Sequence, residues 1–314
     1  MKSGGNCKRI VIAGPTGIGK TAVSIELVKL IREHEKGASI ISADSRQCYR
    51  YLDIGTGKIT PEEMGDIPHH NISIFNPDEK DTAAAFAKRT HDWEDEICKG
   101  GDIPIIVGGS TLHLQSLIWP LDDIPGACVY NQLQLSEQEK EYGTDFIFNK
   151  LKLADPEYVQ KMDGYNRNRV FRALDVFMQT GKAFSSYHAD QNLHLVPGDT
   201  HLIVLTSNRN ELIQKIEHRV DEMLKSGLVE ETERVLEMGF SSSSQSLQTV
   251  GYKETIHFLN NKLSLNEMSD AIKANTRQYA KRQATWFRRW KSAHFIDVTG
   301  LNSKDLARQI FMSY

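Results

Sequence analysis

The run Gly14-Pro15-Thr16-Gly17-Ile18-Gly19-Lys20-Thr21 sets the chemistry open to this chain. It has the form G-x-x-x-x-G-K-[ST], in which the backbone N–H groups of a glycine-rich turn and the start of the next helix converge on an anion. Lys20 then belongs on a terminal phosphate, and the Thr21 hydroxyl within reach of a magnesium ion. Enzymes that split nucleotides on such a loop usually add an acid at the end of a later strand, to hold magnesium and order the attacking water. Here the later strand, residues 103–107, runs into Gly108-Gly109-Ser110, and the acid available is Asp44, which follows a different strand. An isolated Ala-Asp-Ser reads as a helix cap or a turn. At the carboxyl end of a strand beside a phosphate loop, Asp44 reads as functional.

These residues need a scaffold that aims strand ends at one place. Residues 9–13 form a short apolar run before the glycine loop, and 22–33 follow with Val23, Leu27, Leu30 and Ile31 at helical spacing. Further strands are expected at 38–42, 103–107, 201–206 and 294–298, with a helix at 82–98. Strands alternating with helices predict an α/β fold, a doubly wound parallel sheet of the P-loop type with ligands at its carboxyl edge. From 121 to about 197 the pattern is helical and polar. We therefore expect a core in two parts, 1–119 and 200–314, with an inserted helical domain over 120–199. Two long helical stretches, 210–238 and 265–291, are expected in the second part of the core.

At 39% hydrophobic and 25% charged residues over 314, the chain is long enough for one large domain or two smaller ones. A net charge of -3 gives no hint of a polyanionic partner, so any nucleic-acid surface must be local. One local surface is visible: residues 271–296 carry Lys273, Arg277, Lys281, Arg282, Arg288, Arg289 and Lys291 with no Asp or Glu. On a helix Lys273, Arg277, Lys281 and Arg288 share a stripe, and Ile272, Tyr279, Trp286 and Trp290 another, which suits either phosphate binding or a solvated surface helix. Cys7, Cys48, Cys98 and Cys128 are scattered with no C-x-x-C pair, which argues against zinc and a disulfide framework and for reduced thiols in a cytosolic protein. No stretch approaches the roughly 20 apolar residues of a membrane helix.

The blocks GPTGIGKT (14–21), SADSRQCYRYLDIGTGK (42–58), IPHH (67–70), IPIIVGGS (103–110), RVFRALDVFMQTGK (169–182), TVGYKE (249–254) and TRQYAKRQATWFRRW (276–290) resemble, in order, those of bacterial-type tRNA dimethylallyltransferases. The resemblance spans nearly the whole chain. The phosphate loop alone is shared by many enzymes; the ADSRQ and TRQ-x-AKRQ-x-W blocks together are specific.

The resemblance implies a loop that cradles a prenyl pyrophosphate, not ATP, with Mg2+ as cofactor. It also implies a channel into which the adenine beside a tRNA anticodon is flipped. Asp44 then corresponds to the general base on the adenine N6, Ser110 to the family's catalytic-site threonine, and Arg219 to an arginine on the pyrophosphate. Asp44, Ser45, Arg46, Gln47, Ser110, Gln132, Asn168, Arg169, Val170, Phe171 and Arg172 fall where the family touches tRNA. So do Gln248, Thr249, Val250, Gly251, Tyr252 and Lys253. The expected partners are a tRNA anticodon stem-loop and dimethylallyl pyrophosphate, for a monomeric cytoplasmic enzyme.

The chemistry makes the same demands. Breaking the allylic C1–O bond builds positive charge on carbon and negative charge on pyrophosphate, so Lys20, the loop amides, magnesium and an arginine should stabilise the leaving group, each such donor for about 3 kcal/mol. The adenine amine is a poor nucleophile and needs an acceptor for its proton; a carboxylate of reference pKa about 3.9 is ionised at neutral pH. Five positions depart from the family's pattern: Ser110 for threonine, His113 for tyrosine, Asn166 for aspartate, Gln132 for arginine and Ile59 for proline. Three other readings use the same loop: transfer to free adenine nucleotides, a small-molecule kinase, and a non-catalytic tRNA-binding relative. A small pocket suffices for the first two, which leaves the helical insert and the basic helix unexplained.

Overall fold

The computed structural model describes residues 8–34, 36–119, 124–187 and 195–314. The chain divides into two compact units, Met1–Trp119 with Leu193–Tyr314, and Pro120–Asn192. The second unit thus ends a few residues before the boundary at 199 expected from the hydropathy pattern.

The first unit runs β1 (Arg9–Ala13), α1 (Lys20–Glu33), β2 (Ala38–Ser42), α2 (Pro61–Met64), β3 (His69–His70), α3 (Ala83–Lys99), β4 (Ile103–Gly108) and α4 (Thr111–Ile118). The second unit holds α5 (Val129–Ala154), interrupted by a non-helical Gly143, then α6 (Pro156–Gln160), α7 (Arg167–Thr180) and a 3-10 turn (Phe184–Tyr187). The chain returns to the first unit through β5 (Thr200–Thr206), α8 (Arg209–Lys225), α9 (Leu228–Glu237), α10 (Tyr252–Leu259), α11 (Leu265–Phe287), β6 (His294–Asp297) and α12 (Ser303–Ser313).

The sheet order is β3-β2-β4-β1-β5-β6, with every pair parallel. β1, β2 and β4 are buried along their whole length, as strands covered by helices on both faces must be. One face packs Ile10, Ile12, Ile105 and Ile203 against Leu27 and Ile31 of α1 and Leu306 and Ile310 of α12. The other packs Val11, Ile41, Ile106 and Val204 against Phe86, Leu117, Phe287 and Trp290. A separate cluster, with Tyr49, Leu52, Leu228, Tyr252 and Ile272 at its centre, joins α8 to α11 beyond the sheet's carboxyl edge. The sheet brings β2, β4 and β1 together as neighbours, so the loops after them open side by side. That adjacency fixes the site.

The expected helix over 210–238 is two helices, because Gly227 adopts a left-handed conformation (φ 98°) that ends the first and caps the second. The helix expected over 265–291 stops at Phe287. The edge strand β3, with two residues, and the helices α10 and α12 were not expected. Cys48 and Cys128 are free, and Cys7 lies outside the described residues. Among the described residues no helix is long and apolar enough to cross a membrane.

Candidate active site

The phosphate loop leaves β1 at Gly14, and Gly17 and Gly19 adopt φ of 79° and 96°, a region open to glycine that lets the loop curl back over α1. Lys20, the first residue of α1, donates from Nζ to the carbonyls of Gly14 (3.0 Å) and Pro15 (2.9 Å), which holds its ammonium across the loop. Burial lowers the Lys20 pKa to about 8; Asp44 pulls it up and Arg219 pushes it down. Arg219, on α8, is likewise lowered by burial and raised by Asp44. Two cations thus sit near one carboxylate, an excess of positive charge for an anionic ligand.

Asp44 follows β2. Its Oδ1 accepts from the amides of Arg46 (2.8 Å) and Gln47 (3.3 Å), which orients the carboxylate as an Asx turn would and leaves Oδ2 for a substrate. The turn reading and the functional one therefore both hold. Ser110 follows β4; its hydroxyl accepts from the Ser45 amide at 2.8 Å, and its own amide donates to Ala43 O at 3.2 Å. Gly108 permits the contact, since a Cβ there would lie 2.0 Å from Ala43 O.

Three adjoining cavities join these groups. One of about 350 Å³ is lined by the phosphate loop, Lys20, Thr21, Asp44, Gln47 and Arg219. A second of about 160 Å³ shares Asp44 and Arg219 and adds Thr249, Val250 and Gly251. A third of about 190 Å³ lies against Ser45, Arg46, Ser110 and His113. Tyr279 borders all three. Its phenol is pushed up to about 12, by burial first and then by Asp44.

Tyr279 and Gln283 are site residues that the sequence reading does not include; there Tyr279 belongs only to the stripe with Ile272, Trp286 and Trp290. The signal was present in the spacing: four residues apart on α11, they share a face. Gln283 spans the site, accepting from the Thr16 amide (2.9 Å) and donating to Gly109 O (2.7 Å). His113 is buried, its Nε2 3.7 Å from Asp81 Oδ2 and without a hydrogen bond.

The expected tRNA contacts divide by exposure. Gln248 and Lys253 are exposed, whereas Tyr252 is buried and donates its hydroxyl to Glu231 at 2.6 Å. Within the second unit, Asn168 and Arg169 are exposed, Gln132 is half-buried, and Arg172 donates to Pro125 O at 2.5 Å. Val170 and Phe171 pack in that unit's own core with Leu135 and Leu151. The side chains of Val170, Phe171 and Tyr252 thus lie on the buried faces of their helices. On α11, Lys273 and Arg277 pair with Asp221 (2.6 Å) and Glu217 (2.5 Å) of α8, which removes them from the free basic stripe. Lys281, Arg282, Arg288 and Arg289 stay exposed. Lys58 is enclosed, donating to Tyr49 O, Asp53 Oδ1 and Ser73 Oγ.

The sequence matches the IPP transferase family over residues 47–290 and the isopentenyl transferase family over 8–72. A tRNA dimethylallyltransferase of Alkaliphilus oremlandii is 38% identical over 307 residues, 97% of this chain and 96% of that one. The crystal structure of a tRNA isopentenylpyrophosphate transferase from Bacillus halodurans superposes with a TM-score of 0.70 at 34% identity, covering 98% of this chain and 95% of that one. A eukaryotic dimethylallyltransferase described as acting on tRNA gives 0.78 at 30% identity, over 93% and 74%. With the loops of β1, β2 and β4 converging on one cavity as the motifs require, the chain belongs to the tRNA dimethylallyltransferase family of IPP transferases.

Proposed function

We propose that this chain moves the dimethylallyl group of dimethylallyl pyrophosphate onto N6 of the adenine at position 37 of tRNA, beside the anticodon, and releases pyrophosphate. Membership of the family carries the transfer to tRNA. The observation that carries the residue assignments is that Lys20, Arg219, Asp44 and Ser110 line adjoining cavities that share Tyr279.

In this reading the loop amides, Lys20 and Arg219 hold the pyrophosphate, and their charge compensates the negative charge that grows as C1–O breaks. The N6–C1 bond forms on the opposite side of C1. Asp44, with Oδ1 fixed by two amides, takes the N6 proton on Oδ2, so a neutral product amine and free pyrophosphate leave. Ser110 holds the Ser45 amide and with it the turn that aims Asp44. No carboxylate follows β4, which disfavours a kinase.

The Thr21 hydroxyl is the protein ligand we assign to magnesium. Thr21 and Asp44 line the same cavity, and among the described residues no group of three or more His, Cys, Asp or Glu could hold a metal. The Thr21 hydroxyl would hold the ion, with pyrophosphate and water filling its other positions, and the ion supplies charge neutralisation to the leaving group. The tRNA contacts fall to Asn168, Arg169 and Arg172 of the second unit and to Arg46, Gln248 and Lys253 of the first. A monomer in the cytoplasm completes the reading.

Incubating the protein with dimethylallyl pyrophosphate and either tRNA or AMP, then weighing the nucleosides, tests it. Prenylated adenosine from tRNA alone is the expected result. Product from AMP with none from tRNA would overturn the acceptor, and sustained ADP release from ATP with a small acceptor would overturn the reaction.

A further inference from the structure

We propose that Glu231 is a positioning residue for the pyrophosphate end of the site, acting through the loop 53–58 on Arg219. The proposal rests on the reading above in which Arg219 meets the pyrophosphate. Glu231 lies on α9, is 1% exposed, and borders none of the three cavities. A buried carboxylate is costly unless its oxygens are met by donors. Here Oε2 accepts from the amides of Asp53 (3.0 Å) and Ile54 (2.8 Å), and Oε1 from the amide of Gly55 (3.1 Å) and the Tyr252 hydroxyl (2.6 Å). Three consecutive amides closing on one carboxylate form a concave anion nest built from the protein's own side chain.

The far side of the same loop faces the site. Thr56 O accepts from Arg219 Nη2 at 3.1 Å, and Gly57 O accepts from Gln47 Nε2 at 3.1 Å. Gln47 is itself tied by its amide to Asp44 Oδ1. Contact is close on both sides: a Cβ on Gly55 would meet the Tyr252 ring at 2.5 Å, and one on Gly57 (φ +56°) would meet Arg219 Nη2 at 2.0 Å. Amides 53 to 55 therefore fix where carbonyls 56 and 57 point, and those carbonyls hold the guanidinium on one side and the Asp44 turn on the other. Burial works against the charge of Arg219 and Asp44 favours it; the Thr56 carbonyl adds a second partner that holds the guanidinium in place. Only a carboxylate satisfies the loop, since a carboxamide offers one acceptor oxygen and turns an N–H donor towards the amides it should meet.

The test is a double-mutant cycle on the full chain, reading the dissociation constant of dimethylallyl pyrophosphate by calorimetry. Glu231→Gln should weaken donor binding roughly tenfold, the cost of one loop donor left unsatisfied. In the Arg219→Ala background it should add nothing, because its effect travels through the arginine. A purely structural role for Glu231 predicts equal effects in both backgrounds, and that result would overturn the proposal. If Arg219→Ala alone binds the donor as the parent does, the assignment of Arg219 to pyrophosphate fails first and the proposal falls with it. Should Glu231→Gln not fold, the unaltered protein answers: coupling is reciprocal, so the donor should slow hydrogen exchange at the amides of Asp53, Ile54 and Gly55. Unchanged exchange at those three amides would also overturn it.

Discussion

Gln283 accepts a hydrogen bond from the Thr16 amide while donating one to the Gly109 carbonyl, so one side chain on α11 clamps the phosphate loop of β1 to the loop after β4. The two loops have different parts in the reaction as we read it: one holds the leaving group, the other carries Ser110. Gln283 is 3% exposed, so neither bond has water to replace it. Gln283→Glu should be worse than its near-identical shape suggests, because a carboxylate cannot donate to Gly109 O and would put a buried charge against a carbonyl. We expect a loss of about 1 to 3 kcal/mol in stability or in transfer. Denaturant unfolding and single-turnover transfer, measured on the same preparation, check it; parent values in both would remove Gln283 from the site.

The depressed Lys20 pKa predicts how donor binding varies with pH. In the free protein the Lys20 ammonium loses its proton as pH rises past about 8, because burial disfavours the charged form. A bound pyrophosphate favours that form and moves the pKa up again. Binding therefore takes up a proton above pH 8, and affinity falls with rising pH by as much as about tenfold per unit. Calorimetry in buffers of different ionisation enthalpy reports the proton directly. Lys20→Ala should abolish transfer; proton uptake that persists in it would assign the titration elsewhere.

Asp44 presents one oxygen to two backbone amides, which keeps the carboxylate in place when its charge is removed. Asp44→Asn can retain those contacts through its carbonyl oxygen. We expect pyrophosphate and tRNA binding to persist while single-turnover transfer drops about 10²- to 10⁴-fold, the span of a lost general base. Near-parent transfer would mean that the N6 proton leaves by water.

The basic residues of α11 separate into two groups with different predicted salt effects. Lys281 and Arg288 are exposed, and charge reversal there should weaken tRNA binding and flatten its dependence on log salt. Lys273 and Arg277 are already paired with Asp221 and Glu217, so neutralising them should change the slope less. Equal slopes for all four variants would return the helix to a structural role.

What the sequence could disclose follows from how far each signal reaches. The phosphate loop, the acid after β2 and the Gly-Gly-Ser after β4 are local patterns, each readable within about ten residues, and the parallel sheet then makes them neighbours. Gln283 and Glu231 act on residues 267 and 176 to 178 positions away, and helical periodicity shows only that a face is buried, not what it meets. Tyr279, on the same stripe as the buried Ile272 and Trp290, borders the cavities instead. The stripe of Lys273 and Arg277 failed similarly, since the pairing acids lie on another helix. At Gly227 the apolar period carries on through a residue whose left-handed backbone stops the helix, and β3 is too short to leave an alternation at all.

Ser110 stands where the family has threonine, and its hydroxyl has a definite partner. It is 7% exposed and accepts from the Ser45 amide, the residue that follows Asp44. Ser110→Thr keeps that acceptor and adds a methyl that reduces the rotamers the side chain must search, so it should be active and at least as fast. Ser110→Ala leaves the Ser45 amide without its acceptor and frees the turn that aims Asp44, for a loss of roughly 1 to 3 kcal/mol of transition-state stabilisation. That loss should appear in the rate more than in the affinity for dimethylallyl pyrophosphate, because Ser110 lines a cavity that neither Lys20 nor Arg219 borders. Single-turnover rates of the three proteins on one tRNA, at saturating donor, measure it. Equal rates for serine and alanine would remove the hydroxyl from the mechanism, and absence of transfer in all three would point to a relative that binds tRNA without modifying it.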